Sequence, residues 1–100
     1  MALSFVWTDR SKTQLDATLR HLSTEWGPRE AANFLDILDD WLGQLRSHPK
    51  SAPLTGEKPG VRGAVLTKQV TMFYHVETSE QQITILSFFD TRQHPDKKRL

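Results

Sequence analysis

Two helix-period stripes of apolar residues meet at Gly27-Pro28, and that junction constrains the fold more than any other feature. Leu15, Leu19, Leu22 and Trp26 recur at helical spacing, which predicts an amphipathic helix from Asp9 to about Trp26, with an N-cap at Thr8-Asp9. Gly27 ends it. Pro28 suits the first turn of a second helix, where its missing N–H is not needed. In that second segment Ala31, Phe34, Leu35, Leu38, Trp41, Leu42 and Leu45 mark one face. The residue before Pro49 is disfavoured in helical geometry, so the helix is expected to end near Ser47. Two helices joined this tightly fold back as an antiparallel hairpin with one apolar side, and that side needs a cover.

The rest of the chain supplies it. Leu3 to Trp7 is short and apolar and reads as a buried strand. Pro49, Pro53, Gly56, Pro59 and Gly60 punctuate a loop after the second helix. Three strands are then expected over Arg62 to Lys68, Gln69 to Glu77 and Gln82 to Phe89, joined by short links that favour antiparallel pairing. In the clearest of them Val70, Met72, Tyr74 and Val76 share one side, so Tyr74 is expected in the core. The order is β-α-α-β-β-β, an α+β domain with a helical hairpin on one face of a small, mostly antiparallel sheet. One hundred residues suit one domain, residues 1–100, with a flexible basic tail over 95–100. The tryptophans at 7, 26 and 41 are expected to face its core.

The chain has no cysteine, which removes disulfides and thiolate chemistry and fits a cytoplasmic location. No apolar run reaches the length of a membrane span, and the N-terminus lacks a signal-peptide pattern, so no membrane partner is expected. Four scattered histidines, His21, His48, His75 and His94, show no ligand spacing, and neither a metal nor a cofactor is expected. Net charge is only +1, but it is unevenly placed. Asp36, Asp39 and Asp40 fall on the far side of the second helix from its apolar stripe and read as a solvated face. Arg92, Lys97, Lys98 and Arg99 gather at the end and could meet phosphate or an acidic surface.

Several pieces, in this order, carry a resemblance. They are Trp7-Thr8, Trp26-Gly27, Leu45-Arg46-Ser47-His48-Pro49, Gly60-Val61-Arg62-Gly63, Met72-Phe73-Tyr74-His75-Val76 and Phe89-Asp90-Thr91-Arg92-Gln93-His94-Pro95. Together they resemble the RelE/ParE toxins of bacterial type II toxin–antitoxin pairs over nearly the whole chain. The resemblance implies a growth-inhibiting toxin and a cognate antitoxin partner in a toxin–antitoxin hetero-oligomer. RelE-like members of the family cut mRNA on the ribosome, using Lys and Arg on the sheet and often a late Tyr or His; ParE-like members act on DNA gyrase. Here Arg62 and Arg92 match basic positions, whereas Ala64 and Thr71 stand where RelE-like enzymes carry cations, and no late Tyr follows.

The balance favours a ParE-like toxin that inhibits by binding, with Arg62, Arg92, Lys97, Lys98 and Arg99 as target- or phosphate-binding groups. The enzyme alternative is an mRNA interferase, with Arg62 and Arg92 on the phosphate and His94 or His75 as acid or base. Glu57 and His94 could imitate another interferase pattern. A further alternative is an inactive homologue that acts only as an antitoxin corepressor. For Arg62 an ion pair with Asp90 is the competing structural role. On the sheet side away from the helices, Phe73, Leu86 and Phe88 are expected to form an apolar strip, and the resemblance implies an antitoxin over it.

Overall fold

A computed structural model describes residues 3–56 and 58–91. The elements are β1 (Ser4–Trp7), α1 (Asp9–Trp26), α2 (Pro28–Ser47), β2 (Val61–Val65), β3 (Val70–Glu77) and β4 (Gln82–Asp90). The order is the one expected from sequence. The strands line up as β1-β4-β3-β2, with β2, β3 and β4 an antiparallel meander and β1 added parallel to β4. Thr8 caps α1 as expected, its hydroxyl oxygen accepting from the Ser11 N–H at 3.0 Å. The second helix ends at Ser47.

The core lies between the hairpin and one sheet face. Leu22 of α1 and Phe34, Leu38 and Leu45 of α2 pack on Ala64, Val70, Met72, Tyr74, Ile83, Ile85 and Phe88. Each large apolar side chain among them contributes roughly 1.5–3 kcal/mol by leaving water. The solvated face of α2 is as expected, with Asp36, Asp39 and Asp40 exposed.

The first helix is rotated from its sequence stripe. Its buried residues are Ser11, Thr18 and Leu22, while Leu15 and Leu19 are half-buried. The rotation has a polar reason. The Ser11 hydroxyl donates to the Thr8 carbonyl at 2.8 Å, and the Gln14 side-chain oxygen accepts from the Phe88 N–H at 2.9 Å. The second satisfies the Phe88 N–H, which would otherwise be orphaned at the bulge. The same rotation carries the end of the stripe off the sheet, leaving Trp26 65% exposed; the expectation that it faces the core is corrected, while Trp7 and Trp41 do pack there.

The second correction concerns Phe88. A simple alternation along β4 puts Phe88 on the helix-free side. The ladder slips instead: Phe73 pairs with Ser87 but Tyr74 pairs with Ile85, so Leu86 is an extra residue on β4. A one-residue slip exchanges the faces of everything beyond it. Phe88 therefore faces the core, 2% exposed and stacked with Trp7 at a centroid distance of 6.0 Å. The Thr8 hydroxyl holds the bulge by donating to the Leu86 carbonyl at 2.8 Å.

Candidate functional site

The register assigns the functional candidates to two faces. On the helix side, Arg62 pairs with Tyr74 and Ala64 with Met72. On the helix-free side, Val61, Gly63 and Val65 pair with His75, Phe73 and Thr71. A β-carbon placed on Gly63 would meet the Phe73 ring at 3.3 Å and the methyl groups of Thr55 and Thr71 at 3.4 Å, which puts all three on that second side.

Arg62 is a structural tie. Its Nη1 donates to the Ala52 carbonyl at 2.8 Å and to the Lys50 carbonyl at 3.3 Å. Beside it Tyr74, fully buried, donates its hydroxyl to the Pro49 carbonyl at 2.8 Å. Burial raises the Tyr74 pKa above the ordinary 10.0, against opposing pulls from the Ala52 backbone and the Arg62 charge. Together the two side chains bind the segment leaving α2 to the sheet. The expected Arg62–Asp90 ion pair does not form. Asp90 pairs with Val70 at one end of β3, whereas Arg62 pairs with Tyr74 towards the other. Parity along a strand would have revealed the facing of Arg62, since it follows once β2 is registered on β3.

Among the described strand residues, the helix-free side carries no Lys or Arg. His75 and Glu77 are its titratable pair among the described residues, His75 Nδ1 lying 2.9 Å from a Glu77 carboxylate oxygen. The imidazole packs so near Gly60 that a β-carbon there would meet it at 3.1 Å. Phe73 is on this face as expected, yet it is only 1% exposed. Part of the reason is the segment before β2. Thr55 N–H donates to the Val61 carbonyl at 2.9 Å and Gly63 N–H to the Pro53 carbonyl at 3.0 Å, which lays residues 53–55 along the sheet edge. Ser87, opposite Phe73, is fully buried, and its hydroxyl has no hydrogen-bond partner among the described residues. Leu86 is half-buried and outside the core cluster. The expected strip thus reduces to Phe73 and Leu86, with Phe88 on the opposite face.

Arg92, His94, Lys97, Lys98, Arg99 and Glu57 lie outside the described residues. Among those described, no three His, Asp or Glu side chains are grouped to hold a metal ion, and no helix is long and apolar enough to cross a membrane.

No family model and no curated protein matches the chain in sequence. Solved structures do match in fold. A chromosomal ParDE toxin–antitoxin system from P. aeruginosa aligns with a TM-score of 0.71 at 24% identity, over 89% of this chain and 96% of that one. The RelBE2 toxin–antitoxin complex from Mycobacterium tuberculosis aligns at 0.63 and 17% identity, over 90% and 99%. The E. coli toxin RelE, as a mutant with two arginines replaced by alanine and in the free state, aligns at 0.62 and 13%, over 95% and 90%. The chain has the RelE/ParE toxin fold.

Proposed function

We propose that this chain is the toxin of a type II toxin–antitoxin pair, ParE-like, which arrests growth by binding a gyrase-class target and is neutralised by a cognate antitoxin. The shared fold supports the toxin assignment. The observation that supports the mechanism is that the described strands carry no Lys or Arg on the helix-free side of the sheet. Cleavage of RNA by its own 2′-hydroxyl needs a cation against the phosphorane charge, alongside an acid and a base. On that face the described strands offer the His75–Glu77 pair and no Lys or Arg. Arg62, the cation a ribonuclease would use from β2, is turned to the other side and occupied by two carbonyls. Thr71 stands where the resemblance to RelE-like enzymes implies a third-strand cation.

The test is pulse induction in a bacterial host with total RNA mapped for new 5′ ends, run beside a supercoiling assay of purified gyrase with the purified chain. Growth arrest with intact mRNA and lost supercoiling is the expected result. Abundant new ends inside translated frames, removed by His75→Ala or Arg92→Ala, would replace this mechanism with ribonuclease action. Absence of toxicity, with retained antitoxin binding, would leave the corepressor role.

A further inference from the structure

The sheet has two outer edges, and among the described residues only one of them is paired. Along β2, Leu54 bridges Arg62, Thr55 N–H donates to the Val61 carbonyl at 2.9 Å and Gly63 N–H donates to the Pro53 carbonyl at 3.0 Å. β1 is the other outer strand, and no described strand or bridge pairs with its outer side. Its inward groups are used: Ser4 N–H donates to the Gln81 carbonyl at 3.2 Å and Thr8 N–H to the Ile85 carbonyl at 3.1 Å. In a parallel pair both main-chain groups of a residue point to the same neighbour, and alternate residues point opposite ways. The N–H and carbonyl groups of Phe5 and Trp7 therefore point away from the sheet. Such an edge is a template for another strand, and proteins commonly blunt it with charge or proline. Ser4-Phe5-Val6-Trp7 has neither. Phe5 and Trp7 pack against the core on the helix side, so Val6 between them faces the other side, 42% exposed.

We propose that β1 pairs antiparallel with β1 of a second copy of this chain, joining the two sheets across a two-fold axis at Val6. That axis sets Phe5 opposite Trp7 of the other copy. These are the residues whose main-chain groups are free, and each such pair exchanges both hydrogen bonds. Val6 meets its own counterpart, so one exposed apolar side chain covers another. The rings of Phe5 and Trp7 face each other across the strands on the helix side, a favourable pair. Charge favours a second copy over a foreign strand. Arg46 lies over the Phe5 ring at 5.2 Å and has no ion pair with a carboxylate among the described residues. At the other end of the strand, Asp16 lines an open concavity of about 300 Å³ with Trp7, Lys12, Leu15 and Leu19. Asp16 gives its Oδ2 to Arg20 and keeps Oδ1 without a described partner. The register that sets Phe5 against Trp7 of the other copy brings the Arg46 end of each strand to the Asp16 end of its mate. The same contact is then made twice, as a two-fold interface requires. This pairing goes beyond the toxin assignment and does not depend on it.

The experiment measures the mass of the full chain by light scattering across a concentration series. Association to twice the monomer mass is expected. Val6→Lys sets a charge against its own counterpart at the axis and should abolish association at every concentration, with far-UV circular dichroism unchanged. Arg46→Glu and Asp16→Lys should each weaken association about tenfold, because symmetry repeats the reversed contact. Mixed together, those two variants should regain the original affinity as a pair holding one copy of each, since both crossed contacts then join opposite charges. Native mass spectrometry with one variant isotopically labelled reads that pair. A chain that stays monomeric throughout, a dimer indifferent to Val6→Lys, or variants that do not recombine overturns the proposal. Growth arrest plays no part in these readings, so the toxin assignment stands or falls separately.

Discussion

The two faces of this sheet are built to different standards. On the helix-covered face the polar groups are answered: Arg62 and Tyr74 reach carbonyls of the segment leaving α2, and Gln14 takes the N–H of Phe88. On the other face Phe73 is buried without a helix above it, and Ser87 keeps a buried hydroxyl without a partner among the described residues. Buried polar groups are nearly always satisfied, and the exceptions call for a reason beyond packing. The contrast teaches that the helix-covered face closes the fold, while the other keeps one buried hydroxyl unanswered among the described residues.

The largest expected effects test whether burial means the same on both faces. Phe88→Ala opens a cavity in the core and is expected to cost about 3–5 kcal/mol. Phe73 is as buried as Phe88, at 1% against 2%. If the helix-free face is packed at that point, Phe73→Ala belongs to the same range. Urea unfolding of both variants decides. A cost below about 1 kcal/mol for Phe73→Ala would make it a surface residue in energetic terms and dissolve the distinction drawn for that face.

Next come the ties of the covered face. Tyr74→Phe leaves the Pro49 carbonyl unanswered and Gln14→Leu leaves the Phe88 N–H unanswered; each is expected to cost about 1–3 kcal/mol. Tyr74 is the chain's single tyrosine, so its ionisation can be followed directly by absorbance. Burial holds its pKa above 10.0 in the folded state. A raised folded value means the stability linked to this group is whole below pH 10.0 and falls as pH climbs past it, where the unfolded chain sheds its proton first. The titration should therefore run above the free value in native protein and return to it in denaturant. A native titration at the free value would mean the hydroxyl meets water.

How far the sequence carried these faces depends on what sets each residue. The helix ends were legible because Thr8, Pro28 and Pro49 act locally on their own backbone. The facing of Tyr74 was legible because Val70, Met72 and Tyr74 alternate along one unbroken strand. Phe88 was not, since the bulge at Leu86 exists for its partners: Thr8 holds the Leu86 carbonyl and Gln14 receives the Phe88 N–H, both from far away in sequence. Likewise α1 buries Ser11 and Thr18 ahead of Leu15, with Gln14 turned to the Phe88 N–H of β4, a partner far away in sequence. Arg62 was placed on the right strand, but its task needs the path of residues 49–52, which no local pattern encodes.

The smallest effect separates the faces by sign. Removing a satisfied hydroxyl from a core destabilises, whereas removing an unsatisfied one relieves the cost of having buried it. Ser87→Ala changes only the hydroxyl, at a site that is fully enclosed and has no described partner for it. It should therefore leave the free chain equally stable or firmer, by up to about 1 kcal/mol in denaturant unfolding. Thr8→Ala offers the opposite case beside the same strand, since that hydroxyl donates to the Leu86 carbonyl and accepts from the Ser11 N–H; a loss of about 1 kcal/mol is expected. Measured together with a partner protein bound, the pair becomes informative about function. If the partner supplies the missing bond, Ser87→Ala firms the free chain yet weakens the complex. Equal destabilisation of Ser87→Ala in both states would mean the hydroxyl is satisfied in solution, and the helix-free face would then be finished like the other.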